Sequence, residues 1–136
     1  MKNGFWIIVL TILVVSCAEK SEDEKASELM SQIESLYEKG EYTATLDSIE
    51  SLRARFPRAI ESRKRSLIIW QNASLVLAQR DVAQTDSALQ HTLKQIENEN
   101  NIYARNMLGV KRDSLKARYE AMCGVVRMIH LRQKQN

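Results

Sequence analysis

From Leu29 to Pro57 the chain reads LMSQIESLYEKGEYTATLDSIESLRARFP, and this stretch decides the fold. Leu29, Ile33, Leu36 and Tyr37 recur at steps of four and three, which puts them on one face of a helix. That helix is predicted from about Ser21 to Lys39. Gly40 ends it, because glycine takes the left-handed conformation beyond a helix C-terminus without a Cβ penalty. A second helix is predicted from Tyr42, turning Tyr42, Leu46, Ile49, Leu52 and Phe56 inward. Pro57 closes it, since proline disfavours the helical conformation in the residue before it. Two short amphipathic helices with a tight glycine turn make an antiparallel hairpin.

Outward from this hairpin the chain continues in helix-forming residues. Four glycines and one proline in 136 residues, with long runs of Glu, Lys, Arg, Gln, Ala and Leu, leave little from which to build a sheet. The expected fold class is all-α. A third helix is predicted from Pro57 to about Arg80, with Ile60, Leu67, Trp70, Leu75 and Leu77 as core candidates. A fourth is predicted from Asp81 to Glu97, using Val82, Ala88, Leu89, Thr92 and Ile96. Residues 97–101 have no apolar face and read as a loop. A long last helix is predicted from about Asp113 to Gln133, after an irregular lead-in from Ile102 to Val110. Leu108, Leu115, Met122 and Ile129 are seven apart along it, with Tyr119 and Val126 between them, so a heptad seam must be buried by something. Either the preceding helices cover it or a second copy of the chain does.

The hairpin resembles a tetratricopeptide repeat over residues 26–59. Residues 40–46 (GEYTATL), then Ile49, Leu52 and Pro57, carry the likeness. Thr45 stands at the repeat's small position and Pro57 follows twelve residues later. Leu29 replaces the opening aromatic, and the bulky Ile33 replaces the small residue four positions on. An echo about forty residues later (Glu41-Tyr42 with Asp81-Val82, residues 46–49 with residues 85–88) is similar to the helix pairs of tetratricopeptide-like outer-membrane lipoproteins. The lipoprotein subunit of the β-barrel insertion machinery is one of these, and is much longer. The resemblance implies antiparallel hairpins that present a groove to a protein or peptide.

The N-terminus supplies an address. After Lys2, a largely apolar run extends from Phe5 to Val15 and is followed by Ser16 and Cys17. At about 1.5 Å per residue it reaches roughly 17 Å, too short for a hydrocarbon core of about 30 Å. A positive start, a short apolar run and a small residue at the end describe a secretory signal peptide. Val14-Val15-Ser16-Cys17 resembles the lipobox of bacterial lipoproteins, which implies that Cys17 is the acylated first residue of the mature chain. Several acyl chains on one residue anchor stably where a single chain holds marginally. The expected organisation is residues 1–16 as signal peptide, residues 17–25 as acylated cysteine and acidic tether, and residues 26–136 as helical domain. The expected location is the outer membrane, on its periplasmic or its external face. Glu22, Asp23 and Glu24 look like the acidic export signal of surface-displayed lipoproteins.

Charge narrows the partners. Only Lys2 is lost from 20 basic against 17 acidic residues, leaving a mature net charge of +2. Residues 19–57 hold 10 acidic and 5 basic side chains, whereas residues 103–136 hold 8 basic and 2 acidic. Such asymmetry favours antiparallel packing or end-to-end association. Arg112, Lys116, Arg118, Arg127, Arg132 and Lys134 are the interaction candidates, facing anionic head groups or an acidic partner. Nucleic acid is not an expected partner outside the cytoplasm.

No residue pattern points to catalysis. Cys123 and His130 are seven apart on one helix, about 10 Å along its axis, so they cannot serve each other as nucleophile and base. Cys123, left without a pairing partner once Cys17 is acylated, reads as a buried structural thiol. His91 reads as a solvated helix residue. Two histidines and one thiol at unrelated spacings make no zinc site. No catalytic residue, metal ligand or cofactor is expected. The expectation is a non-catalytic helical interaction module of the envelope, or a structural lipoprotein that self-associates through its C-terminal heptads.

Overall fold

The structure is a computed structural model describing residues 20–135. Within them the chain forms four helices: α1 (Glu22–Glu38), α2 (Tyr42–Arg55), α3 (Ile60–Asn98) and α4 (Ile102–Gln133). The fold is all-α. The predicted signal peptide, Cys17 and the first residues of the predicted tether lie outside the described residues.

Helix α1 starts on a capping box. Ser21 Oγ accepts from the Glu24 backbone N–H at 3.1 Å, and the Glu24 carboxylate accepts from the Ser21 N–H at 3.0 Å. Two of the orphan donors at the helix start are thereby satisfied. The polar lead expected to reach Lys25 therefore ends at Ser21, and the acidic cluster forms the first turn of a helix. Asp23 also reaches across to α3, accepting from the backbone N–H of Ser62 at 2.8 Å and of Glu61 at 3.4 Å. Gly40 takes φ +75°, which turns the chain into α2.

The core lies where α1, α2 and the first half of α3 meet. Ala26, Met30, Ile33, Ile49, Leu52 and Ala59 form it, with Leu29, Phe56 and Ile69 packed against them. Burying an Ile, Leu or Met side chain fully is worth roughly 1.5–3 kcal/mol, so this cluster fixes the hairpin on α3. Thr45 is fully buried, and its hydroxyl bonds the Glu41 carbonyl at 2.9 Å.

Helix α3 departs from expectation in two ways. It runs unbroken through Arg80 and Asp81, where a turn between two helices was expected. No glycine or proline lies between Arg58 and Leu108, and residues 78–83 (AQRDVA) carry no stop signal. The second hairpin implied by the forty-residue echo is therefore absent, and α3 extends about 58 Å as one spine.

The face of α3 that meets the hairpin is also not the expected one. Ala59, Ser62, Ser66 and Ala73 are buried there, whereas Ile60, Leu67, Ile68 and Trp70 are exposed. Small residues let α1 and α2 approach closely. The Ser66 hydroxyl stays satisfied by bonding the Arg63 carbonyl at 2.9 Å.

Helix α4 starts at Ile102, so the predicted lead-in is itself helical. Asn101 caps it by accepting from the Ala104 N–H at 3.0 Å. Among the described residues α4 packs against α3 alone, and this is the most extensive pairing in the fold. Leu108, Leu115 and Met122 are half-buried and Ile129 is buried on the side of α4 that meets α3, where Gln71, Ala78, Thr85 and Thr92 are buried at the same seven-residue spacing. Two bonds mark the antiparallel register: Arg118 to Asp81 at 2.5 Å and Gln133 to Asn72 at 3.0 Å. The seam is thus covered within one chain. The result is an antiparallel two-helix arm whose first helix is rooted in the α1–α2 hairpin.

Candidate functional site

Helix α2 lies antiparallel along α3. The Arg80 guanidinium stands 5.0 Å from the Tyr42 ring centre and that of Arg53 stands 5.7 Å from Trp70. Helix α4 meets a different side of α3 and ends beside Asn72. Trp70 borders both a cleft against α2, shared with Leu46, Asp47, Glu50 and Arg53, and the surface beside the end of α4.

A groove of ≈ 570 Å³ opens there, lined by Trp70, Gln71, Gly124, Val125, Met128 and Arg132 among others. Its walls are mostly apolar, with one guanidinium at the rim. That combination suits a partner's apolar side chain better than a polar metabolite. A larger groove near the tip of the arm carries His91, Lys94, Glu99 and Lys111 beside Tyr103 and Met107, a mixed-charge lining.

The six basic candidates do not converge on one patch. Arg118 is tied to Asp81 across the arm, and Arg112 bonds its neighbour Asp113 at 2.7–2.8 Å. By helical spacing Lys116, Arg127 and Lys134 flank the seam on one side, with Arg118 and Arg132 on the other. Lys116, Arg127 and Lys134 are exposed, and of the six only Arg132 borders the apolar groove. An exposed ion pair such as Arg118–Asp81 is worth about 0–1 kcal/mol, so it fixes register more than stability.

The acidic residues expected to signal export have structural partners. Asp23 is held below its ordinary value of 3.8, chiefly by the Ser62 backbone N–H. Glu24 closes the capping box, and Glu22 lies 3.7 Å from Lys25. Cys123 is half-buried rather than buried, lining a small cleft with Gln79, Val82 and Val126. Tyr119, one turn before it, has its hydroxyl pushed up, first by hydrogen bonding with the Cys123 thiol. His91 and His130 are both exposed. Among the described residues no three His, Cys, Asp or Glu side chains gather to hold a metal ion, and no helix is long and apolar enough to cross a membrane.

The sequence reading missed the uncovered apolar surface of α4. Tyr103, Met107, Val110, Val125, Met128 and Leu131 are all exposed, on faces away from the seam. Their spacing was visible, but the seam had already accounted for the helix's amphipathic pattern. Comparison with family models, curated proteins and solved structures gave no match for this chain.

Proposed function

We propose that the protein is a lipid-anchored, non-catalytic interaction module of the bacterial envelope, and that its working part is the α3–α4 arm. The lipobox-like Val14-Val15-Ser16-Cys17 supports the anchor. The observation that carries the reading is the uncovered apolar surface of α4 beside Trp70, with no chemistry-bearing cluster near it. Monomeric proteins rarely expose long contiguous apolar strips without a partner for them.

Geometry gives the arm a direction. From Cys17 to Ser21 an extended chain reaches at most about 18 Å, so an acylated Cys17 would hold the start of α1 close to the bilayer. Asp23 binds the start of α3 to the start of α1, so α3 leaves from that anchored end. The tip at Glu99–Asn101 then lies about 55 Å away along α3. The module is a short stalk with its contact surface held off the membrane. Its partner is a protein or peptide with an apolar helical face, a second copy included, and nucleic acid is not among the candidates.

A photoreactive residue at Val125 in the full chain, illuminated in intact cells, tests this. The expected result is a discrete adduct running above the mature chain itself, absent when the probe sits at the solvent-facing Gln90. Equal labelling at both positions, or none at Val125, overturns the reading.

A further inference from the structure

One heptad line of α4, half-buried at Leu108, Leu115 and Met122 and buried at Ile129, packs toward α3, but a second runs along the opposite side and is covered by none of the described residues. Tyr103, Met107, Val110, Ser114, Ala117, Ala121, Gly124, Met128 and Leu131 follow one another at alternating steps of four and three. All are exposed except Gly124, which is half-exposed. A strict seven-residue repeat over four turns or more is the pattern of a helix that packs along another helix. The residue sizes along it are ordered. Tyr103, Met107 and Val110 are large and protrude, at 73%, 54% and 64% exposure. Ser114, Ala117, Ala121 and Gly124 are small, and a Cβ built on Gly124 would meet nothing within 4 Å. Met128 and Leu131 are large again.

That order is close to a palindrome about Ala117. We propose that this outer face of α4 is the interface of a two-fold symmetric homodimer, with the two α4 helices antiparallel and crossing at Ala117. The inference names the partner for the contact surface proposed above and does not depend on the lipid anchor.

A two-fold axis through Ala117 sets Tyr103 against the partner's Leu131 and Met107 against the partner's Met128. Val110 meets the partner's Gly124, and Ser114 the partner's Ala121. Large residues thus meet large ones at the two ends, Val110 fits over the bare backbone of the partner's Gly124, and the small Ser114, Ala117 and Ala121 let the backbones approach at the centre. The protruding Met107 and Val110 come over the groove of ≈ 570 Å³ in the other copy, which Trp70, Gly124, Val125 and Met128 line. One surface carries both knob and hole, as an isologous contact requires.

The flanking charges permit this contact. Glu99 lies opposite the partner's Lys134. Two pairings bring like charges together, Arg118 with the partner's Arg118 and Asp113 with the partner's Glu120. In each chain Arg118 is already neutralised by Asp81, and Asp113 by Arg112. The contact strip runs over the 29 residues from Tyr103 to Leu131, about 42 Å.

The test is a cysteine series in the full chain on a Cys123→Ser background, oxidised in intact cells and read on a non-reducing gel. Ala117→Cys should give a dimer as its major species, since only a residue at the axis meets its own copy. Leu131→Cys should stay monomeric, because its two copies lie about 42 Å apart. Adding Met128→Glu to Ala117→Cys should cut the dimer band at least tenfold, with the circular dichroism spectrum unchanged. A Leu131→Cys dimer would show a parallel arrangement, and a monomeric Ala117→Cys would show no contact at this axis. Either result overturns the proposal. An Ala117→Cys monomer together with a Val125 adduct of another mass rejects the dimer but leaves the contact surface standing. A dimer in the parent without Ala117→Cys would come through an unacylated Cys17 and would count against the anchor alone.

Discussion

The orientation of α3 is the feature on which the sequence reading and the structure disagree most, and two adjacent isoleucines test it. Ile68 points outward at 60% exposure, whereas Ile69 packs against the core cluster. The two substitutions Ile68→Ala and Ile69→Ala lie on the same helix and carry the same change in helix propensity, so their difference reports packing alone. Full burial of an isoleucine is worth about 1.5–3 kcal/mol, and Ile68 has about two-fifths of that at stake, roughly 0.6–1.2 kcal/mol. Alanine returns a few tenths through its better helix propensity, leaving a net cost of about 0.5 kcal/mol. Ile69→Ala removes packed atoms and leaves a cavity, and should cost about 2 kcal/mol. Ile33→Ala, at a site with no exposure, sets the ceiling at about 2–5 kcal/mol. Urea unfolding of the helical domain followed by circular dichroism measures all three. Equal losses at Ile68 and Ile69, or a larger loss at Ile68, would mean that α3 is rotated by about one residue, and would refute the described core.

The remaining predictions concern the seam and the start of α1. Met122→Lys places an unpaired charge against α3 and should lower thermal stability equally at every protein concentration, because that seam is closed within one chain. A melting point unshifted from wild type would show that the stripe is not core. Asp23 has a folded pKa below its ordinary 3.8, so folding favours its ionised form. Its contribution is fully present above the unfolded value and is lost as pH falls through the lowered folded value. Asp23→Asn should therefore reduce stability at pH 7 and make the acid limb shallower, measured by urea unfolding across pH 2–7. An acid limb identical to wild type would contradict the bond to the start of α3.

The α1–α2 hairpin was legible because its punctuation is chemical: Gly40 supplies the positive φ and Pro57 stops the second helix. Its core residues Ile33, Ile49 and Leu52 fall at the helical period and are buried. The α4 seam was legible from its seven-residue spacing, and there Ile129 is buried while Leu108, Leu115 and Met122 are half-buried. Helix α3 was misread because its buried face toward the hairpin is built from Ala59, Ser62, Ser66 and Ala73, which carry no hydrophobic signal. The large residues Ile60, Leu67 and Ile68 sit on the exposed side and mislead any argument from size. A break at Arg80–Asp81 was expected, although no residue there ends a helix.

The outer face of α4 was hidden differently, since its centre is Ser114, Ala117, Ala121 and Gly124, and small residues show up as an interface only beside their uncovered neighbours. The basic candidates were visible as charges, but their partners Asp81 and Asp113 were assigned only by the fold.

Lipid attachment at Cys17 is the central claim, since it sets the compartment and the direction of the arm. Intact-mass analysis of the full chain purified from membranes, with sequencing of its N-terminal peptide, tests it directly. The account predicts a mature N-terminus at Cys17, heavier than the unmodified peptide by a diacylglyceryl group, with this species absent from Cys17→Ala. An uncleaved leader, or a mature N-terminus with an unmodified Cys17, would contradict it.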